Sequence, residues 1–67
     1  MYDLNKNFEY HAPKEGQPQK YAELRSSAKT LAGYVIKNCP DSRERSLALT
    51  KIEEAVMWAN ASIARNE

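Results

Sequence analysis

The sequence is poor in the residues that most chemistry needs. A single cysteine, Cys39, excludes an internal disulfide and a multi-cysteine zinc site. A single histidine, His11, removes most metal-ligand and triad constellations. With two glycines in the chain there is no glycine-rich phosphate loop. Neither sign of charge dominates: ten Lys+Arg face nine Asp+Glu, for a formal net charge of +1. That balance argues against a polybasic nucleic-acid arm and against an acidic tail. No apolar run approaches the roughly 18 residues of a membrane span. The start, Met1-Tyr2-Asp3-Leu4-Asn5-Lys6, lacks the apolar core of a signal peptide, so the chain reads as cytosolic.

What remains is a globular composition, 42% hydrophobic and 28% charged, in 67 residues. One small domain, 1–67, accounts for it. A chain of this size buries only about 60% of its unfolded surface and is marginal alone. Small scaffolds escape through disulfides, metals or oligomerisation. The first two are missing, so self-association is the expectation.

Three segments emerge. Residues 1–17 form an irregular arm, punctuated by Asn5, Asn7, Pro13 and Gly16 and showing no helical period. Phe8, Tyr10 and His11 cluster in it, which suggests an arm that docks. Residues 18–38 carry an amphipathic seam: Tyr21, Leu24, Ala28, Leu31 and Val35 step by three and four. Pro18 suits a first helical turn. Interior Gly33 costs about 1 kcal/mol relative to alanine and leaves room for a second helix to approach. Pro40 stops the helix by disfavouring helical geometry at Cys39. A second helix, 42–65, repeats the seam in Leu49, Ile52, Val56, Ala59 and Ile63. Asp41 or Ser42 opens it, and Asp41 with Glu44 resembles a capping box. Two long helices and a tight turn predict an all-α, antiparallel helical hairpin. Leu47, Met57, Trp58, Tyr34 and Ile36 fall partly off the seam. A second buried surface, between subunits, explains them best, and Ala55, Ala59, Ala61 and Ser62 let helices come close.

Catalysis has little support. His11 has no fixed partner in sequence. Cys39 sits at a helix C-terminus, where the dipole disfavours a thiolate. Glu53 and Glu54 point in different directions. Binding has more. Arg43, Ser46 and Thr50 share one stripe at the start of the second helix, where a guanidinium and two hydroxyls suit a phosphate. The ordinary alternative is that Arg43 pairs with a carboxylate. Arg25 and Lys29 form an i, i+4 basic pair on the first helix, with Ser26 and Ser27 between them. A solvated face is the plain reading. Tyr10 over Arg25 would instead combine a stacking face with a phosphate partner, if the arm crosses that helix.

The run Ser42-Arg43-Glu44-Arg45-Ser46-Leu47-Ala48-Leu49-Thr50, continued by Glu53-Glu54-Ala55-Val56-Met57-Trp58-Ala59-Asn60-Ala61, follows Cys39-Pro40. It closely resembles the phage anti-CBASS cyclic-nucleotide sponge family, whose hairpin domain is shared with the anti-Thoeris sponge. The likeness extends back through Lys20-Tyr21, Arg25, Ala28-Lys29 and Leu31-Ala32 to Phe8-Glu9-Tyr10-His11-Ala12-Pro13, and so covers most of the chain. The resemblance implies a non-catalytic, cofactor-free homohexamer in the host cytoplasm. Such a protein sequesters cyclic dinucleotides, and in some members cyclic trinucleotides, between protomers, without binding DNA, RNA or membrane. Tyr10, Arg25 and Ser27 match the family's base-stacking, phosphate and hydroxyl positions, with His11 and Ser26 as alternatives one residue away. The family often carries lysine and threonine where this chain has Arg25 and Ser27, and the arginine changes phosphate geometry. Arg43, Ser46 and Thr50 remain physically motivated candidates for a trinucleotide pocket. The alternative functions are capture of cyclic ADP-ribose isomers, as in the anti-Thoeris relatives, and a structural hairpin without a ligand.

Overall fold

The computed structural model describes residues 2–67. Met1, the first residue of the expected arm, lies outside the described residues. Three helices follow one another: α1 (Leu4–Phe8), α2 (Gln17–Asn38) and α3 (Arg43–Asn66). Helices α2 and α3 pack side by side as an antiparallel hairpin measuring 42 × 26 × 15 Å. At 1.5 Å per residue they run roughly 33 and 36 Å. The all-α hairpin is as expected; its long helices run over Gln17–Asn38 and Arg43–Asn66, against 18–38 and 42–65 from spacing.

Each terminus has a local cause. Asp3 caps α1 by accepting from the Lys6 amide at 3.0 Å. The arm therefore contains a short helix that a periodicity search does not register. Its irregular stretch is confined to Glu9–Gly16. Gly16 takes φ +84° at the entry to α2, a left-handed conformation that disfavours any side chain. Pro18 sits in the first turn of α2, as anticipated. The cap of α3 is Ser42, whose Oγ accepts from the Arg45 amide at 3.1 Å. The Asp41–Glu44 capping box is thus corrected by one residue. Asp41 instead pairs with Arg45 at 3.2 Å, and Arg45 also reaches the Cys39 carbonyl. Arg45 so ties the turn to the first turn of α3.

The seam forms but does not close. Tyr21, Leu24, Ala28 and Val35 of α2 are half-buried, as are Leu49, Ile52, Val56, Ala59 and Ile63 of α3. Leu31 departs from the expectation, being 52% exposed. Helical geometry sets it about 60° off the line through Ala28, at the lip of the seam. Among the described residues no apolar side chain is fully buried. Tyr34, Ile36, Leu47, Met57 and Trp58 all face solvent in the single chain, as their off-seam positions require. A Cβ built on Gly33 meets nothing within 4 Å, so the space it leaves is not taken by α3.

Candidate functional site

Two round helices laid side by side leave a furrow on either side of their contact line. In this hairpin both furrows are floored by Ala28, Ile52 and Val56. One, of about 470 Å³, carries Arg25, Lys29 and Ile36 of α2 against Leu49 and Glu53 of α3. The other, of about 430 Å³, carries Ser27 and Leu31 against Lys51 and Ala55. Arg25 and Ser27 stand about 160° apart around the helix from the Ala28 line, which is why they fall in opposite furrows. Ser26 points outward, with its carbonyl accepting from the Thr30 hydroxyl at 3.1 Å.

Toward the open end of the hairpin, Arg25 also borders a shallow recess with Tyr21, Asn60, Ala61 and Ala64. The Oδ1 atom of Asn60 is buried there without a hydrogen-bond partner. An orphaned acceptor of this kind costs about 1–3 kcal/mol.

The cations divide into two groups. Lys20 pairs with Glu67, Arg45 with Asp41 and Lys51 with Glu54. Arg25, Lys29 and Arg43 reach no side-chain carboxylate within ion-pair distance among the described residues, and neither do Lys6, Lys14, Lys37 and Arg65; what singles out Arg25 and Lys29 is that both line one apolar furrow. Arg25 and Lys29 therefore hold two uncompensated positive charges at the rim of one apolar furrow. Glu53 stands in the same furrow and moderates the field without pairing.

Arg43, Ser46 and Thr50 keep their shared stripe and are all exposed. They lie at the turn end of the hairpin. Tyr10 and His11 lie at the other end, on the arm. Tyr10 is 86% exposed. Within one chain it does not make the anticipated pair with Arg25, because the arm is tied to the end of α3 instead. His11 is half-buried, and its Nε2 donates to the Lys6 carbonyl at 2.6 Å. That bond folds the arm back on α1.

The tie itself was absent from the sequence reading. Gln17, 3% exposed, is the one fully buried residue among those described. Its Oε1 accepts from the Lys14 amide at 2.9 Å and its Nε2 donates to Glu67 at 3.4 Å. Lys20 pairs with Glu67 at 2.6 Å, and the Lys14 ammonium donates to the Glu67 backbone oxygen. The hydrogen bond from Lys20 holds the Glu67 carboxyl below the usual carboxylate range, against a smaller desolvation effect that raises it. The one local signal was the Lys14–Gln17 spacing of three, in which a glutamine side chain reaches back to an earlier amide.

Nothing in this arrangement positions an acid, a base or a nucleophile against a reacting atom. Unpaired cations, open apolar furrows and surface aromatics define a ligand- or partner-binding hairpin. The family model described as "Acb2/Tad1, hairpin domain" matches residues 2–64. The chain belongs to that family, whose members are non-catalytic sponges acting against CBASS and Thoeris immunity. Among curated proteins and solved structures, none matches the chain. Among the described residues no cluster of three or more His, Cys, Asp and Glu could hold a metal ion. Among the described residues no helix is long and apolar enough to cross a membrane.

Proposed function

We propose that the chain sequesters cyclic dinucleotides without cleaving them, in crevices between the copies of a homohexamer. In this reading Tyr10 stacks on a base, Arg25 and Lys29 neutralise phosphate, and Ser27 adds a hydroxyl. His11 and Ser26 border the same contacts. Arg43, Ser46 and Thr50 are the candidates for a second, trinucleotide pocket at the turn end. The observation that carries the proposal is the uncompensated Arg25–Lys29 pair above an apolar furrow, in a chain of this family. Two like charges four residues apart on a helix repel one another, and an anion relieves that repulsion.

The magnitudes are adequate. Capture at sub-micromolar messenger requires about −8 kcal/mol. Two stacked bases contribute roughly 1–3 kcal/mol each. Charge-assisted phosphate hydrogen bonds add about 1.5–3 kcal/mol each before costs. A hairpin with no fully buried apolar side chain among the described residues would gain a core and crevices in one step by self-association, which supports the same reading.

The test is release. The protein is mixed with a panel of cyclic di- and trinucleotides and cyclic ADP-ribose isomers, analysed by native mass spectrometry, and then heat-denatured. Intact cyclic dinucleotide should bind and return unchanged. Linear product would refute sequestration. Capture confined to the cyclic ADP-ribose isomers would replace the ligand class, and a multimer indifferent to the whole panel would leave a structural hairpin.

A further inference from the structure

The stretch that bears Tyr10 and His11 is anchored at both ends to the end of α3, at its last residue Asn66 and its C-cap Glu67. At its start, the Lys6 ammonium donates to Asn66 Oδ1 at 2.7 Å. At its end, Lys14 donates to the backbone oxygen of Glu67. The chain thus leaves the last turn of α3 at Lys6 and returns to it at Lys14. The His11–Lys6 hydrogen bond narrows the loop from within. Beneath the return point lies Gln17, which joins the arm at Lys14 to the Glu67 carboxylate. A polar side chain so completely withdrawn from water is held by its hydrogen bonds, which together join the arm, through α2, to the C-cap of α3.

We infer that the last turn of α3 is a latch for the N-terminal arm, with Gln17, Asn66 and Glu67 acting as positioning residues for Tyr10 and His11. The inference rests on the capture reading above for its functional half, and on the contacts alone for its structural half. An arm fixed before the ligand arrives surrenders no further backbone freedom on binding. Cut loose, the same aromatic must be ordered at the expense of affinity. The Lys20–Glu67 pair is half exposed, so the latch weakens with salt.

The test uses Glu67→Gln, a surface change that preserves shape, with Glu67→Asp as the conservative control and Gln17→Leu as the variant at the hub. Two quantities are read on each: amide exchange across residues 9–16, and affinity for a cyclic dinucleotide that the parent captures. Glu67→Gln should speed arm exchange and weaken capture roughly two- to fivefold, as exposed ion pairs do. Raised salt should speed arm exchange in the parent to the level of Glu67→Gln, and Glu67→Asp should stay close to the parent. Unchanged arm exchange in Glu67→Gln and Gln17→Leu overturns the latch. Faster exchange with parental affinity overturns the positioning role while leaving the capture reading intact. A parent that captures no cyclic dinucleotide sinks the capture reading instead, and the latch is then decided by exchange alone.

Discussion

Trp58 offers the sharpest test of whether the hairpin depends on further copies of itself. It lies on the outer side of α3 and is 64% exposed in the single chain. A tryptophan of about 150–250 Å² total area therefore has about 100–160 Å² left for another surface to cover. At roughly 25 cal/mol per Å² that area is worth about 2.5–4 kcal/mol. The figure reaches the range of interface hot spots, about 2 kcal/mol and above. Trp58→Ala should cost the isolated hairpin little, because the indole contributes little to its seam. It should cost assembly heavily. The measurement is native mass spectrometry and thermal melting over a dilution series, parent against variant. The parent should hold one oligomer to low concentration, with a Tm that falls on dilution. The variant should dissociate at concentrations tens to hundreds of times higher, as about 2.5–4 kcal/mol implies. A variant that assembles and melts like the parent at every dilution would refute the argument that Trp58 is covered by a neighbour.

Gly33→Ala should raise Tm, since alanine gains about 1 kcal/mol in a helix interior and a Cβ there meets nothing in the hairpin; a lower Tm or a lost oligomer would place a neighbouring backbone against Gly33. Asn60→Leu removes the orphaned Oδ1 and should stabilise the fold by about 1–3 kcal/mol in chemical denaturation, whereas destabilisation would show that the amide has a partner in the assembly. Glu67 has a carboxyl pKa lowered in the fold, chiefly by the Lys20 hydrogen bond. Its stabilisation of the latch is complete above the unfolded carboxylate value of roughly 4.3 and is lost as pH falls through the lower folded value. The Gln17 side-chain amide, which donates to Glu67, should keep a constant NMR shift from neutral pH to about 5 and move only in the acid limb; a shift confined to the neutral range would assign the latch to another group.

The helices were legible because they are long and periodic. A seam stepping by three and four over fifteen residues in each helix averages out local ambiguity, and Gly16, Pro18 and Pro40 punctuate it. Features that depend on a single contact were not legible in this way. Helix α1 has five residues, too few for a period, and rests on one cap at Asp3. Asp41 and Ser42 are both competent caps. Ser42 takes the role, and Asp41 pairs with Arg45 instead. The burial of Gln17 runs against its polarity. It arises from partners such as Glu67, fifty residues away, which no local spacing encodes. For the candidate site, the sequence showed which cations share a helix face but not which lack a carboxylate. That distinction separates Lys20, Arg45 and Lys51, which have carboxylate partners, from the other cations of the described residues, Arg25, Lys29 and Arg43 among them.

The placement of Arg25 and Ser27 constrains any shared ligand. They line opposite furrows of one hairpin, with the interhelical seam between them. A ring-shaped dinucleotide lying in one furrow cannot touch both side chains of the same copy. If both contact one ligand, Arg25 comes from one protomer and Ser27 from the next. Subunit mixing tests this directly. Arg25→Ala chains and Ser27→Ala chains are each expected to capture weakly on their own. Co-refolded at equal amounts, random pairing puts an intact Arg25 opposite an intact Ser27 at about a quarter of the interprotomer sites. Those sites should recover parental affinity, and titration calorimetry should count them. Mixed oligomers that recover no tight sites would mean that the two residues do not act across an interface, and Ser27 would then leave the candidate site.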